Sequence, residues 1–327
     1  MPLHPPPKTS LPPFVPPPRF GKTSFGAYKP QHPTQEVALD KVQAFAGEVA
    51  EPIKTTRRWP WAKREPSEGQ GLYLDGGFGV GKTHLLAAAF HACEVEKKAY
   101  LSFQDLVYIV GAQGIAEAKK SLGDARLLCI DEFELDDPGN TLIVKSFLAH
   151  VFTQGGAVMT TSNTPPEAQG QGRFNADDFK REIQSVAECF AVLPLQGPDY
   201  RHRDRLAELL SDEELEHHYR CEAAQEPKEK LRWPELLTLL GEVHPVRYGG
   251  LIAQFGTLYV TGAETLTNQN DALRFVHFID KLYDLDKGLQ LSGDGELEAL
   301  FNPSYRNSAY AKKHYRCLSR LSELLEA

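Results

Sequence analysis

The chain has 327 residues, a formal net charge of −8, and 41% hydrophobic and 24% charged residues. This composition is that of an ordinary soluble globular protein, with enough core for one large domain or two smaller ones. The acidic balance supplies no overall positive field for a phosphate backbone, so nucleic acid is an unlikely partner. The five cysteines contain no C-x-x-C pair, which argues against a zinc ribbon or a disulfide framework.

The sequence contains no apolar run close to the roughly 20 residues that a membrane helix needs. It opens without a charged-then-apolar signal sequence, and its scattered cysteines suit a reducing compartment. We therefore expect a cytoplasmic protein without an integral membrane segment.

Proline dominates residues 1–20, MPLHPPPKTSLPPFVPPPRF, so this segment can form neither a helix nor a central strand. We expect a disordered leader here, with a docked partner motif as the alternative. Apolar residues near helical spacing then predict a helix from Thr34 to about Ala50. A polar connection, RRWPWAKREPSEGQ, follows this helix.

Short apolar strands alternate with longer helices after this connection. The predicted strands are GLYLDGG, KAYLSF, ARLLCIDEF and GAVMTTSN, and one intervening helix is broken near Gly111. This alternation is typical of β-α-β units and predicts an α/β fold, a parallel sheet with helices on both faces. We expect this core over 21–203, a charged helical bridge over 204–232 and a C-terminal α/β extension over 233–327.

Residues Gly76–Thr83, GGFGVGKT, fit the pattern G-x-x-x-x-G-K-[ST] between a predicted strand and a predicted helix. Glycines let backbone N–H groups surround a phosphate, and the helix N-terminus adds partial positive charge. Lys82 suits contact with the β- and γ-phosphates, and the Thr83 hydroxyl suits Mg²⁺. The alternative is a glycine-rich turn without function. We predict a P-loop NTPase that binds MgATP through Gly76, Gly77, Phe78, Gly79, Val80, Gly81, Lys82, Thr83 and His84.

Polar side chains end two of the predicted strands. Asp131 and Glu132 follow the apolar run LLCI, at the edge where ligands bind in parallel sheets. Asp131 suits Mg²⁺ binding through its water shell, and Glu132 suits the general base that deprotonates the attacking water. Asn163 ends the next strand and suits holding that water or the γ-phosphate. The alternative for Asn163 is a side chain that caps its own turn before Pro165.

Several segments together resemble the ZapE family of AAA+ ATPases. Those in the core are GLYLDGGFGVGKTHLL, CIDEFELDD, TTSNTPPE and GPDYRHR. Three further segments are similar to the terminal signatures of the family: RFGKTSFGAYKP, NDALRFVHFIDKLYDL and KKHYRCLSRL. The resemblance implies an AAA+ fold, an ATP-dependent homo-oligomer and a cell-division role on FtsZ or other divisome proteins. It also implies that Asn163 is sensor 1 and that Arg201 senses the nucleotide near its γ-phosphate.

The chain departs from the family pattern after Asn163, where many members have the arginine-rich segment L-Q-R-x-R-F. This chain reads GRFNADDFKREI there. Arg181 and Arg173 are the candidates for the expected trans-acting arginine finger. The alternative for each is an ordinary surface salt bridge.

A second strand-helix-strand pattern lies near the C-terminus. LYVTG at 258–262 repeats LLCID at 127–131, and the same offset aligns AVMTTSN with GLQLSGD. We predict that 258–262 and 288–292 are neighbouring parallel strands of a unit that packs beside or extends the first sheet. Duplication and ordinary crossover chirality both explain the likeness. Gly262 and Ala263 replace the acids, so this unit is not expected to bind magnesium.

Two functions from different classes follow from these patterns. The first is ATP hydrolysis that remodels a protein partner, with Lys82, Glu132 and Asn163 in catalysis. The alternative is a replication helicase loader or initiator, whose members share a similar core. That class should carry a basic DNA-reading tail, whereas the tail here has one basic cluster. A nucleotide-gated scaffold without turnover is disfavoured by the presence of Glu132.

Overall fold

A computed structural model describes residues 3–6, 13–51, 70–135, 138–169, 176–198, 207–221, 226–307 and 310–326. The chain divides into two compact units. The N-terminal unit comprises Pro13–Pro16 and Phe20–Tyr200, and the C-terminal unit comprises Met1–Pro12, Pro17–Arg19 and Arg201–Ala327. Within the described ranges, every helix is too short or too polar to cross a membrane.

The N-terminal unit is built on a parallel sheet. Its strands are β1 (Gly71–Gly76), β2 (Lys98–Ser102), β3 (Leu127–Asp131), β4 (Ala157–Ser162) and β5 (Phe190–Leu195), in the order β2-β3-β4-β1-β5. Its helices are α1 (Pro33–Ala50), α2 (Lys82–Ala92), α3 (Phe103–Gln113), α4 (Ile115–Leu122), α5 (Pro138–Thr153) and α6 (Ala176–Ala187). All strand pairs of this sheet are parallel, which confirms the predicted α/β fold.

Alternate strand residues face the two sides of this sheet, as the strand pleat requires. Leu72 and Leu74 of β1 pack in one buried cluster with α1 and α2. Tyr73, between them, packs in a second cluster with α3, α4, α5 and α6. Helices therefore cover both faces, as predicted, and the strand ends that carry the polar residues meet at one edge.

The helical break predicted near Gly111 lies instead at Gly114. Gly111 is inside α3, whereas Gly114 separates α3 from α4 with φ 84° and ψ 152°. Only glycine adopts this conformation without strain. Both glycines appear in the sequence as breaks, and only the backbone conformation distinguishes them.

The C-terminal unit has a separate sheet of β6 (Lys228–Arg232), β7 (Thr257–Ala263) and β8 (Gly288–Gly293), in that order and parallel. Its helices are α7 (Asp212–Cys221), α8 (Trp233–Glu242), α9 (Tyr248–Ile252), α10 (Gln269–Asp284) and α11 (Ala311–Leu325). The prediction that 258–262 and 288–292 are neighbouring parallel strands is confirmed. They belong to a sheet of their own and do not extend the first one.

The predicted helical bridge over 204–232 is only partly helical. Helix α7 ends at Cys221, and β6 occupies Lys228–Arg232. Residues 204–206 and 222–225 lie outside the described residues. The sequence KEKLR resembles a solvated helix because charged side chains are common on edge strands, where they discourage further pairing. Leu231 packs against the core of the unit, and this single apolar contact was too weak a signal to indicate a strand.

Residues 3–6 and 13–20 of the predicted disordered leader have defined partners. In the N-terminal unit, the Phe14 carbonyl accepts a hydrogen bond from the Tyr100 N–H at 3.0 Å, at the edge of β2. In the C-terminal unit, the Arg19 guanidinium lies 3.7 Å from the Tyr283 ring centroid and pairs with Glu323. Proline removes backbone donors but leaves the carbonyls free to accept. The expectation of disorder is therefore wrong for these residues.

Candidate functional site

The loop between β1 and α2 requires glycine at defined positions. Gly79 and Gly81 have φ values of 67° and 86°, in the left-handed region that favours glycine. A Cβ on Gly81 would also lie 2.4 Å from a carbon of the Tyr28 ring, and one on Gly76 would lie 2.3 Å from the Leu195 carbonyl oxygen. Glycine is therefore required in this loop for close packing against Tyr28 and Leu195 as well as for the left-handed conformation.

Lys82 is the cationic centre of this loop. Its side chain is buried, with 8% of the residue exposed, at the first position of α2. Its Nζ donates hydrogen bonds to the Gly76 carbonyl at 2.8 Å, the Gly77 carbonyl at 2.5 Å and Asn163 Oδ1 at 2.9 Å. The structure thus brings together the lysine and the amide that the sequence predicted from positions far apart in the chain.

The hydrogen bonds around Asn163 distinguish the two interpretations of that side chain. Ser162 Oγ accepts the hydrogen bond from the Thr164 N–H at 3.1 Å, so Ser162 caps this turn. Asn163 Oδ1 instead accepts from Lys82. The geometry therefore favours a role for Asn163 at the phosphate loop over a role in capping its own turn.

Asp131 lies opposite the start of α2 and accepts hydrogen bonds from several elements. The Thr83 hydroxyl donates to its Oδ1 at 3.2 Å, and the Tyr100 hydroxyl donates to its Oδ2 at 3.1 Å. The Thr161 hydroxyl also donates to Oδ1. Hard oxygen donors of this kind are the ligands that Mg²⁺ prefers, so Thr83 and Asp131 fit the predicted metal site. Sequence reasoning missed Tyr100 and Thr161, whose only signal is a polar group within an apolar strand.

Glu132 has an unusual backbone conformation. Its φ is 54°, a left-handed value that costs a non-glycine residue about 1–3 kcal/mol. Its N–H donates to Thr161 Oγ1 at 3.0 Å, and the following Phe133 N–H donates to the Thr161 carbonyl at 2.7 Å. Strain of this kind persists only where the surroundings hold it, and such residues cluster at functional sites.

A segment before α1 and the first turn of α1 form hydrogen bonds with the loop between β1 and α2 and with the start of α2. The Tyr28 hydroxyl donates to the Val80 carbonyl at 2.9 Å, and Gln35 Nε2 donates to the same oxygen at 3.4 Å. His84 Nε2 donates to the Ser24 carbonyl at 3.0 Å, and its ring lies 5.3 Å from the Tyr28 ring. His84, predicted to bind the cofactor, is therefore placed against this N-terminal segment.

Two buried groups near the site remain protonated at neutral pH. Burial raises the pKa of the Cys129 thiol, in the same strand as Asp131. Burial also raises the pKa of the Tyr73 hydroxyl, and hydrogen bonds with Ser162 and Gln169 oppose that shift only in part. Cys129 is therefore a packed core residue and not a thiolate nucleophile.

Of the three candidate arginines, one lies within the described residues. Arg181 lies on α6 with its side chain exposed. Arg173 and Arg201 lie outside the described residues. The structure therefore locates one candidate finger on an accessible helix surface.

Chemically, the described site combines three capabilities. A buried ammonium and glycine-rich backbone suit polyphosphate, and the Thr83 and Asp131 oxygens suit a divalent cation. Glu132 follows Asp131 directly in the chain and supplies a second carboxylate. These are the components of metal-assisted phosphoryl transfer to water.

Known proteins resemble this chain over most of its length. The sequence profile of the AFG1-like ATPase family matches residues 17–227 and 207–327. Cell division protein ZapE of Escherichia coli K12 is 24% identical over 307 residues, covering 81% of each chain. The replicative helicase loader DnaI of Bacillus subtilis is 29% identical over 150 residues, covering 41% of this chain and 46% of DnaI. The solved structure of AMPPCP-bound DnaA from Aquifex aeolicus matches 55% of this chain and 52% of that chain, at 15% identity and a TM-score of 0.41.

The family match spans both units, including the C-terminal segments whose resemblance was noted in the sequence. It confirms the similarity to ZapE-type AAA+ ATPases. The chain belongs to the AFG1-like ATPase family.

Proposed function

We propose that this chain binds and hydrolyses MgATP and uses the cycle to remodel a protein partner in cell division. The observation that carries the proposal is that the start of α2, which carries Lys82 and Thr83, meets Asp131 at the end of β3 and Asn163 directly after β4. Hydrogen bonds join Lys82 to Asn163 and Thr83 to Asp131. The family membership supports the same reaction class.

Phosphate binding is assigned to Gly76–Thr83. Lys82 Nζ, now hydrogen-bonded to the Gly76 and Gly77 carbonyls, would donate to the β- and γ-phosphate oxygens. Thr83 and Asp131 would hold Mg²⁺, which would supply positive charge to neutralise the phosphates. His84 and Arg201 complete the proposed nucleotide contacts.

Glu132 is the proposed general base. Its carboxylate accepts a proton from water, the water oxygen attacks the γ-phosphorus, and ADP leaves. Asn163 orients this water or the γ-phosphate. Its hydrogen bond with Lys82 supports that role, because the amide lies next to the ammonium that is proposed to bind the phosphates.

We propose an ATP-dependent homo-oligomer in the cytoplasm, in which Arg181 or Arg173 reaches the nucleotide of a neighbouring subunit. The exposure of Arg181 on α6 is compatible with that reach. The name of the E. coli relative, cell division protein ZapE, supports FtsZ or another divisome protein as the substrate.

A helicase loader or initiator is the second candidate function. Its support is the DnaI match, which covers 41% of this chain, whereas the ZapE match covers 81%. The family profile also matches residues 207–327, in the C-terminal unit. The cell-division proposal is therefore the better supported of the two.

The test is a Glu132→Gln variant, which keeps the shape of the side chain but cannot accept the proton. It should bind MgATP like the wild type and hydrolyse it roughly 100-fold or more slowly. Glu117→Gln, the same change at an exposed ion pair on α4, is the matched control and should hydrolyse normally. Full activity of the Glu132 variant would contradict the assignment of the base.

The same variant is also a trap for the partner. Proteins that co-purify with it in ATP, but not without nucleotide, are identified by mass spectrometry. Recovery of FtsZ or divisome proteins supports the cell-division proposal. Recovery of a helicase or of DNA would replace it with the loader function and leave only the ATPase chemistry.

A further inference from the structure

We infer that Gln169 is a positioning residue for Glu132: its buried amide joins the loop that follows β3 to the loop that follows β4. The inference rests on the proposed role of Glu132 as general base. Gln169 follows β4 in sequence and has 6% of its surface exposed. A buried amide of this kind is retained only where its polar atoms are satisfied.

One side of the amide contacts the loop after β3. Gln169 Oε1 accepts a hydrogen bond from the Leu135 N–H at 2.9 Å, and Nε2 lies 3.2 Å from the Phe133 carbonyl oxygen. Both partners are backbone groups within three residues after Glu132. Gln169 therefore constrains the path of this loop and does not depend on any side chain in it.

The other side contacts the loop after β4. Nε2 lies 3.1 Å from Ser162 Oγ, 3.2 Å from the Thr164 carbonyl and 2.8 Å from the Tyr73 hydroxyl. The Tyr73 hydroxyl donates to the Thr164 carbonyl at 2.7 Å, so it accepts from Gln169. Because a carboxamide has two N–H donors, these acceptors share them. The shared contacts bracket Asn163, which lies between Ser162 and Thr164.

Glu132 is consequently held on both sides. Thr161 accepts from the Glu132 and Phe133 N–H groups, and Gln169 binds the carbonyl of Phe133 and the N–H of Leu135. The left-handed φ of 54° at Glu132 needs such support. Without Gln169 the loop can relax toward an unstrained conformation, and the carboxylate then moves away from the position of the water. A displacement near 1 Å can lower a rate by roughly 100-fold.

The first measurement is steady-state ATP hydrolysis by Gln169→Met, which has a similar volume but no amide. We expect kcat to fall roughly 10- to 100-fold, with KM and the dissociation constant for MgATP within about twofold of the wild type, since no Gln169 contact involves Gly76–Thr83. Gln154→Met, at an exposed glutamine, is the matched control and should leave both parameters unchanged. Tyr73→Phe removes one hydroxyl from the same network and should lower kcat by a smaller factor, again at constant KM.

A double-mutant cycle separates positioning from general loss of structure. In the Glu132→Gln background the group that Gln169 positions is already lost, so adding Gln169→Met should change the residual rate less than about twofold. If Gln169→Met lowers the hydrolysis rate by the same factor in both backgrounds, the inference is overturned. An unchanged kcat or a parallel loss of MgATP affinity would also overturn it. Absence of hydrolysis by the wild type would overturn the proposed function and this inference with it. An active wild type, an inactive Glu132→Gln and a fully active Gln169→Met would overturn this inference alone.

Discussion

Asp131 is oriented by both neighbours of its strand. Tyr100 comes from β2 and Thr161 from β4, the strands on either side of β3, and both hydroxyls donate to the carboxylate. Residues that orient a metal ligand in this way fix the direction of its lone pairs and raise its affinity for the metal. We therefore expect Tyr100 to act on magnesium binding through Asp131.

Tyr100→Phe should raise the Mg²⁺ concentration for half-maximal ATP hydrolysis by about 10-fold, because Asp131 loses the donor to its Oδ2. The rate at saturating Mg²⁺ should change much less. ATPase rates across a titration of free Mg²⁺ measure both quantities. Tyr315→Phe, at a tyrosine that is 55% exposed, is the matched control, and identical titrations for the two variants would contradict the role of Tyr100.

The junction of α3 and α4 shows how one residue type has opposite effects at nearby positions. Gly111 is a helix-interior residue where an added Cβ has nothing within 4 Å. Gly114 also has open space around it, but its φ is 84°. At the first position alanine gains helix propensity, and at the second its backbone is strained.

Gly111→Ala should therefore stabilise the N-terminal unit by about 0.5–1 kcal/mol. Gly114→Ala should destabilise it by about 1–3 kcal/mol, the cost of a conformation that is essentially specific to glycine. Urea unfolding followed by circular dichroism measures both free energies, and each variant serves as the control for the other. Equal effects of the same sign would show that the α3–α4 break does not depend on the Gly114 conformation.

At the scale of the whole molecule, each unit has its own hydrophobic core. The C-terminal unit adds a buried charged cluster, in which Arg316 and Arg320 of α11 pair with Asp280 of α10. Burial by itself raises the pKa of Asp280, but the charges of the two arginines outweigh that effect and lower it to about 2. The cluster therefore ties α10 to α11 only while Asp280 is ionised.

This lowered pKa predicts that the C-terminal unit loses stability in acid. The unfolded carboxyl titrates near pH ~4, so below that pH the unfolded state binds the proton that the folded state does not. Stability is then present above about pH 4 and decreases as the pH falls toward about 2. Urea unfolding at pH 7, 4 and 3 should show this loss.

Asp280→Asn should lower the stability of the unit at pH 7 by about 3–5 kcal/mol, because it removes the Asp280 charge from two buried ion pairs. The pH dependence between about 4 and 2 should weaken in this variant. Asp286→Asn, at an exposed carboxylate of the same unit that pairs with Arg19, is the matched control and should have little effect. An Asp280 variant as stable as the wild type would contradict the role of this cluster.

Local spacing was enough to predict much of the site. A single segment of sequence reveals a glycine-rich loop or the end of a strand. These local patterns identified Lys82, Thr83, Asp131 and Asn163. Tyr100, Thr161 and Gln169 were missed because their partners lie elsewhere in the chain. Tyr100 is 31 residues from Asp131, and Gln169 is 96 residues from Tyr73, so no local pattern records these pairs.

The sequence by itself determined the α/β class, the phosphate loop, the acid pair and the second strand-helix-strand unit, because periodicity and glycine spacing are properties of contiguous residues. Only the tertiary structure decided that β6, β7 and β8 form a separate sheet, that Arg19 stacks on Tyr283, and that Glu132 is left-handed between Thr161 and Gln169. These features depend on which distant backbone and side-chain groups meet. Strand pairing, ring stacking and buried hydrogen bonds are satisfied between segments, and their partners are selected only when the chain packs.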